Sequence, residues 1–354
     1  MRFIKLAPAI FLFLAFPLFS DIPKPLHAPR AYDLLRGENL KICVPACYYC
    51  DDALEIQNIG NHQRFCQWNA AEQAETYDLL QRIANTWNKS NYAHNYLAYG
   101  MTTPNLRSER FSWAVIPYPD NGWNRLKQIR VIWNVAFGSP QNSDEERVAK
   151  ATSIKEQTQY LSDPYMPDYG SGKPAKDAFC DGKVIENQRV FEGKRINVFY
   201  DRAPERIVDE NPHFLITPKR HAVKLTELTE DEYTESMETA QKIADYFQRD
   251  NPRCTLHMLH KTGEAAGQTV PHWHLHVIVV KDDAYLPSFQ FPCVKSPTSC
   301  TRISSPFLHL QRQFGRIWQG CQNFIYLMLP NRKLTDEELN ERVAFYSREF
   351  EQSF

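Results

Sequence analysis

Residues 266–280 read AGQTVPHWHLHVIVV, and three histidines at every second position interrupt what is otherwise an apolar strand. Side chains along a strand alternate between faces. His272, His274 and His276 are therefore expected on one face, with Trp273, Leu275, Val277 and Val279 on the other, buried against a core. Successive imidazoles would stand roughly 7 Å apart along one line. Three polar rings in a row cost burial energy unless each has a partner, so the pattern points to chemistry and not to packing. Two chemistries compete: imidazoles at this spacing ligate metals, and a histidine oriented by its neighbours acts as a nucleophile. The preceding loop, GEAAGQTV (263–270), offers small residues whose amides can approach an anion, together with the side-chain donors Gln268 and Thr269. Such donors suit a phosphate better than a cation.

Upstream, the stretch 230–250 sets Tyr233, Met237, Ala240, Ile243, Ala244 and Phe247 on one helical stripe. Thr229 and Glu232 make a capping box, with Leu228 and Tyr233 placed as a hydrophobic staple. Strands are expected at 254–260 and in the histidine run, then a long irregular stretch to about 310, a strand in NFIYLMLP, and a helix from about 336. The earlier half repeats this order. AEQAETYDLLQRIANTWN corresponds to the helix, NYLAYG and FSWAVIPYP to the next two strands, and IRVIWNVAFG to NFIYLMLP. Ser143–Glu146 and Thr335–Glu338 supply matching capping boxes. This suggests two copies of one α+β unit. In the first copy Arg110, Ser112 and Ala114 stand where the histidines stand in the second, so only the second can do imidazole chemistry.

GQTVPHWHLHVIVV resembles the active-site strand of the histidine triad (HIT) family, and GEAAGQTV is nearest in wording to the fragile-histidine-triad branch of diadenosine polyphosphate hydrolases. NPHFLITPKRHAVKLTELTEDE (211–232) resembles the family's preceding strand and turn, and INVFYDRAPER the segment before it, with an insertion around 205–211. The likeness covers about 178–282. It implies that His274 is a nucleophile forming a nucleotidyl-histidine, that His276 donates to the phosphate, and that His272 buttresses His274. It further implies that Gln268 and Thr269 hold phosphate or bridging oxygens, that His213 supports the triad from within, and that Asp201 holds ribose hydroxyls. Where the family often has Asn or Gln, eleven residues before the first triad histidine, this chain has Lys261 beside His260; a cation there favours additional negative charge on the substrate. His276, in place of the Gln of the galactose-1-phosphate uridylyltransferase branch, favours hydrolysis, whereas two HIT-like halves in one chain resemble that transferase branch and nucleotide phosphorylases.

The expected fold is thus α+β: two HIT-like units, each an antiparallel sheet with packed helices, the first degenerate, forming an intrachain pseudo-dimer. The boundaries are a leader at 1–20, a Cys-rich loop-like segment at 21–70, the degenerate unit at 71–150, a linker at 151–178 and the catalytic unit at 179–354. The expected activity is hydrolysis of a nucleotide phosphoanhydride or phosphoramidate, with nucleotidyl transfer or phosphorolysis as the alternative enzyme, and metal or nucleotide binding without turnover as the non-catalytic alternative. No cofactor and no metal are called for.

The formal charge of -1, from 41 basic and 42 acidic residues, gives no overall bias toward nucleic acid or an anionic membrane, and no extended nucleic-acid surface is expected. Arg2 and Lys5 precede LAPAIFLFLAFPLF, the layout of a secretory signal peptide too short and Pro-interrupted for a comfortable span, so export is expected, and a cytoplasmic location if the leader is not a signal. No membrane span is expected after it. Export sits awkwardly with a nucleotide substrate. Of nine cysteines, Cys43, Cys47, Cys50 and Cys66 fit disulfide staples in an exported chain or a zinc site in a cytosolic one. Their C-x-x-x-C-x-x-C spacing also matches radical iron–sulfur enzymes, but no strand–helix series follows to form a barrel. Trp87, Trp113, Trp123 and Trp133 read as core more than as stacking surfaces, and DEERVAK as a solvated helix face. The chain is expected to be a monomer, its internal pair replacing a dimer, or a homodimer.

Overall fold

The structure, a computed structural model, describes residues 29–46, 49–60, 62, 64–102, 111–119, 124–137, 141–165, 168–169, 177–204, 211–251, 254–280 and 332–354. Among the described residues, ten strands form one antiparallel sheet: β1 (Asp33–Arg36), β2 (Leu40–Cys43), β3 (Leu54–Asn58), β4 (Asn95–Thr102), β5 (Ser112–Tyr118), β6 (Arg189–Glu192), β7 (Ile196–Tyr200), β8 (His213–Pro218), β9 (Thr255–Thr262) and β10 (Leu275–Val280). Their spatial order is β1-β2-β3-β5-β4-β9-β10-β8-β7-β6. Reading outward from the central β4–β9 pair, β5 matches β10, β3 matches β8, β2 matches β7 and β1 matches β6. The central ladder runs from Tyr96↔Thr262 to Thr102↔Leu256.

The long helices α1 (Ala70–Lys89) and α6 (Glu230–Asp250) start at matching capping boxes, Asn69 with Glu72 and Thr229 with Glu232. In each, the first-turn glutamate carbonyl then accepts a hydroxyl, from Thr76 at 2.7 Å in one and from Ser236 at 2.7 Å in the other. The helices pack on each other and on the sheet through fully buried Trp87, Trp113, Trp273 and Tyr233. Gln81 Nε2 donates to Leu225 O at 3.1 Å and Gln241 Nε2 donates to Phe65 O at 2.7 Å, one bond made in both directions across the seam. The stripe expected on α6 is the stripe that is buried.

Shorter helices are α2 (Asn124–Phe137), α3 (Asp144–Ser153), α4 (Lys155–Thr158), α5 (Gly182–Gln188) and the C-terminal α7 (Asp336–Ser353). Both expected capping boxes, Ser143 with Glu146 and Thr335 with Glu338, open α3 and α7. Most of α3 faces solvent, but Arg147 turns inward, donating to Val44 O at 2.6 and 2.9 Å over the Tyr32 ring. Trp87 and Trp113 are core, Trp133 is half exposed, and Trp123 lies outside the described residues.

Three expectations are corrected. IRVIWNVAFG, read as a strand, lies in helix α2 from Ile129 to Phe137: Val131 and Asn134 are buried while Leu126, Ile129 and Trp133 face outward, the three-to-four-residue period of a helix. The Cys-rich segment is not a loop, because alternating residues of 33–58 complete the sheet as β1–β3. Cys43, Cys50 and Cys66 are free thiols, and none belongs to a metal-capable cluster among the described residues. Cys47, Cys293, Cys300, Cys321, the leader, Arg110 and NFIYLMLP lie outside the described residues. Among the described residues, no helix is long and apolar enough to cross a membrane.

Candidate active site

The helices α1 and α6 cover one face of the sheet, and the histidines occupy the other. β10 starts only at Leu275, so His272 and His274 sit in the bend that enters the strand and His276 on the strand itself. The entry brings the rings closer than a flat strand would: His274 and His276 have centroids 4.7 Å apart. Trp273, Leu275, Val277 and Val279 are fully buried on the opposite face, as alternation requires.

His274 Nδ1 lies 2.8 Å from His272 O. A carbonyl only accepts, so Nδ1 carries the proton and Nε2 keeps its lone pair. Burial, with a smaller contribution from Lys261, pushes its pKa down to about 4, so the ring is neutral at neutral pH. His276 Nδ1 lies 3.0 Å from His213 Nε2, and His213 Nδ1 lies 3.1 Å from Asp201 Oδ2. The carboxylate fixes the Nδ1–H of His213, whose Nε2 then accepts from His276 Nδ1–H, leaving His276 Nε2 toward the site. Burial and the neighbouring His274 hold the His276 pKa well below its usual value. β8 makes this relay: His213 pairs with Ile278, so it shares a face with His276 one diagonal step away.

The loop in front is braced from within. Gly263 and Gly267 have φ of +83° and +87°, which side chains rarely adopt. Gln268 is buried with its carboxamide engaged: Oε1 accepts from Gly263 N at 2.7 Å and Nε2 donates to Val223 O at 2.9 Å. Thr269 is exposed at the mouth. The first half supports this loop, since Gln128 Nε2 of α2 donates to Ala265 O at 2.7 Å and Ala266 packs with Ile116, Tyr118 and Val131. Of the pair His260 and Lys261, the fold turns only Lys261 to the open face. His260 is buried on the helix side among Tyr96, Trp113 and Trp273.

Two features were not expected from the sequence. Phe179 stacks on Phe199 at 5.4 Å and touches the His272 and His274 rings at 5.7 and 5.3 Å, walling the site with Leu215. Behind it, Asp177, Cys180, His221 and His272 bring one ligand atom each to within 4.8 Å of one another. His272 Nε2 lies 3.1 Å from Pro218 O, so its proton is there and the Nδ1 lone pair faces the cluster. Asp177 Oδ2 is buried without a hydrogen bond, 3.0 Å from His221 Nδ1. An O, S, N, N set around an unsatisfied buried carboxylate oxygen fits a tetrahedral divalent ion such as zinc. The Asp-x-x-Cys spacing was the available signal, but its partners lie far along the chain.

The HIT domain is matched over residues 182–283. The adenosine 5'-monophosphoramidase HNT1 of Saccharomyces cerevisiae is 30% identical over 129 residues, 35% of this chain and 77% of that protein. The bifunctional bis(5'-adenosyl)-triphosphatase/adenylylsulfatase FHIT of Arabidopsis thaliana is 36% identical over 66 residues, 19% of this chain and 37% of that protein. Among solved structures, a uridylyltransferase covers 89% of this chain and 86% of its own at 13% identity with a TM-score of 0.43, a superposition too loose to speak to activity. With the histidine motif in place and 77% of the yeast protein spanned, this chain belongs to the HIT family.

Proposed function

We propose that the protein hydrolyses a nucleotide phosphoanhydride or phosphoramidate through a nucleotidyl-His274 intermediate. The observation that carries this is the bond from His274 Nδ1 to His272 O, which aims an unprotonated Nε2 at the open face. His274 Nε2 attacks the α-phosphorus, the phosphorus–leaving-group bond breaks, and the electron pair leaves with that group. A phosphate beside His276 raises its affinity for a proton, which Asp201 and His213 help to hold. His276 Nε2–H then protonates the leaving group. Water attacks the same phosphorus in the second step, gives its proton back to His276 and releases His274. Phe179, Phe199 and Leu215 suit a nucleoside on the β8 side, while Thr269 and loop amides suit the phosphate oxygens. Gln268 serves the loop's shape, and Asp201 divides between His213 and a ribose hydroxyl.

The two halves, in this reading, are copies of one unit forming an intrachain pseudo-dimer. Support comes from the matching strand order and from the reciprocal bonds of Gln81 and Gln241. That two-half architecture also favours the second reading, transfer of the nucleotidyl group to phosphate or a sugar phosphate. A zinc-like ion at Asp177, Cys180, His221 and His272 would hold the His272 ring and, through its carbonyl, the tautomer of His274.

The test is a single-turnover reaction with α-labelled diadenosine polyphosphates, adenosine phosphoramidates and nucleotide sugars, with acid-labile adduct trapped beside a His274→Asn control. An adduct absent from the variant is expected. Binding with no adduct and no product in the unaltered protein overturns the catalytic reading.

A further inference from the structure

Helix α2 is engaged on two neighbouring faces. On one, Gln128 and Val131 hold the catalytic loop through Ala265 and Ala266. On the other, Lys127 and Arg130 line a cavity of about 510 Å³ that no step at His274 uses. The cavity lies wholly outside the histidine-bearing half. It is enclosed by the turn before β3, the turn after α1, Pro119 after β5, α2 and the junction of α3 with α4. Its size falls in the range of small-molecule sites, roughly 300–1,000 Å³.

The lining decides what such a site takes. Lys127 Nζ donates to both oxygens of Asp52, at 2.8 and 2.7 Å, and the Tyr92 hydroxyl donates to Asp52 Oδ2 at 2.5 Å. Burial works against the Asp52 charge, but Lys127 and Tyr92 outweigh it and hold the carboxyl below its usual pKa. The acid is thus already occupied by its neighbours. An ammonium has three N–H groups, and among the described residues Lys127 gives hydrogen bonds to Asp52 alone, so one N–H remains for an acceptor in the cavity. Arg130, one turn along α2, adds a guanidinium at the rim. There Asp51 is turned to Lys150 at 3.9 Å and to water, with its side chain 74% exposed, so its field is screened. Pro119, Leu126 and Ile154 supply an apolar wall.

We propose that this cavity binds a small organic anion, a carboxylate or phosphate monoester on an apolar body, and that its occupant acts on the catalytic loop through α2. The anionic end lies against Lys127 and Arg130, the body against Pro119, Leu126 and Ile154. An anion held by Lys127 and Arg130 steadies α2, and with it the contacts of Gln128 and Val131 that brace residues 263–270. That loop turns on two positive-φ glycines, Gly263 and Gly267, so its shape depends on bracing from outside. The half without histidines thereby carries an effector site. The site stands apart from the nucleotidyl-His274 reading, and only the regulatory meaning of its occupancy rests on that reading.

Calorimetric titration of the full-length protein with phenyl phosphate, phenylacetate and uncharged benzyl alcohol tests the site, because the three share an apolar ring. The expected result is binding of an anionic probe with a Kd of about 1 mM or tighter, as fragment-sized ligands show. Binding should be about tenfold weaker for benzyl alcohol and in Arg130→Gln protein, and unchanged in His274→Asn protein. Ser153→Trp, at an exposed position on the rim, fills the cavity and should abolish it. Neither Arg130→Gln nor Ser153→Trp removes a partner of Asp52, so both should melt at the parent temperature. Amide exchange over 263–270 is expected to slow about threefold in the saturated parent and to stay unchanged in Ser153→Trp protein. No binding of either anion, equal binding of benzyl alcohol, or binding that neither variant weakens overturns the site. Binding that leaves exchange at 263–270 unaltered overturns its action on the loop. None of these readouts needs turnover, whereas adduct trapping reports on His274, so the two readings fail separately.

Discussion

The two halves of the sheet differ less in how they are built than in what they hold on the open face. Beside the seam, β10 brings His274 and His276 against His213 and Asp201, a line of rings ending on a carboxylate. The matching β5 carries Ser112 and Ala114, and there Ser112 Oγ donates to Glu55 Oε1 at 2.6 Å while Gln57 Nε2 donates to Oε2 at 2.8 Å. Both carboxylate oxygens of Glu55 are thus engaged by its neighbours. The difference teaches that the scaffold's stability and its chemistry are separable: the β10 side carries the cost of buried histidines, while the β5 side carries a hydrogen-bonded Ser112–Glu55–Gln57 set.

The sharpest way to break the comparison is to change the two equivalent positions. His274→Asn is expected to lower kcat by at least about 10^4, as loss of a nucleophile does. Ser112→Ala should leave kcat within about twofold and cost about 1 kcal/mol of stability through the lost bond to Glu55; comparable losses of activity would mean that both halves react. Next in size come His213→Ala and Asp201→Asn, each expected to cost about 10^2 in kcat by removing the support for proton transfer from His276. Their KM should change less, and a pH–rate profile identical to that of the unaltered protein would argue against the relay.

Smaller again is the effect of the cluster behind Phe179. Purified protein is expected to carry about one equivalent of zinc per chain, lost in Cys180→Ser and His221→Ala proteins, with activity reduced roughly tenfold as for other residues that orient from behind. Elemental analysis of chelator-treated and untreated protein decides it; no metal in either, with full activity, would leave the four ligands as a hydrogen-bonded group only. Acid gives a related effect on stability. His257 and His260 are pushed down to about 3 and His274 to about 4 by burial. The unfolded chain therefore binds more protons than the folded one below the ordinary histidine pKa of about 6.5. Stability is whole above that pH and is lost progressively as pH falls toward 4 and then 3. Urea titrations at pH 7.5, 6 and 5 should show a declining midpoint, and a flat series would place these rings in wetter surroundings.

Local signals made part of this visible in the sequence. The Thr229–Glu232 box and the stripe from Tyr233 to Phe247 set α6 to the residue, and the alternation through Trp273 to Val279 set which side chains of the histidine strand join the apolar core. What escaped was assembled from distant segments. Asp177, Cys180, His221 and His272 meet because the chain before α5 returns over the turn after β8, and no spacing encodes that. Gln268 reads as a phosphate donor since its side chain is polar and beside the motif; that its amide closes the loop that two positive-φ glycines form was not legible. The run in α2 misled because three consecutive turns of helix and a buried strand both read as apolar when one face of the helix packs on a loop.

The smallest predicted effect bears on the seam, where the halves are most alike. Gln81 donates from its long helix to Leu225 O in a buried bond, whereas the half-buried Gln241 donates to both Phe65 O at 2.7 Å and Trp68 O at 2.8 Å. Removing one leaves a carbonyl without its donor, a loss of about 1 kcal/mol. One buried bond on one side and two part-buried bonds on the other should therefore cost comparable amounts, and because they are distant from each other the double variant Gln81→Ala/Gln241→Ala should lose the sum of the single losses within about 0.5 kcal/mol. Denaturant midpoints at constant slope measure this. Markedly unequal single losses would mean that the seam, unlike its strand order, is lopsided, with one half folding onto a template the other provides.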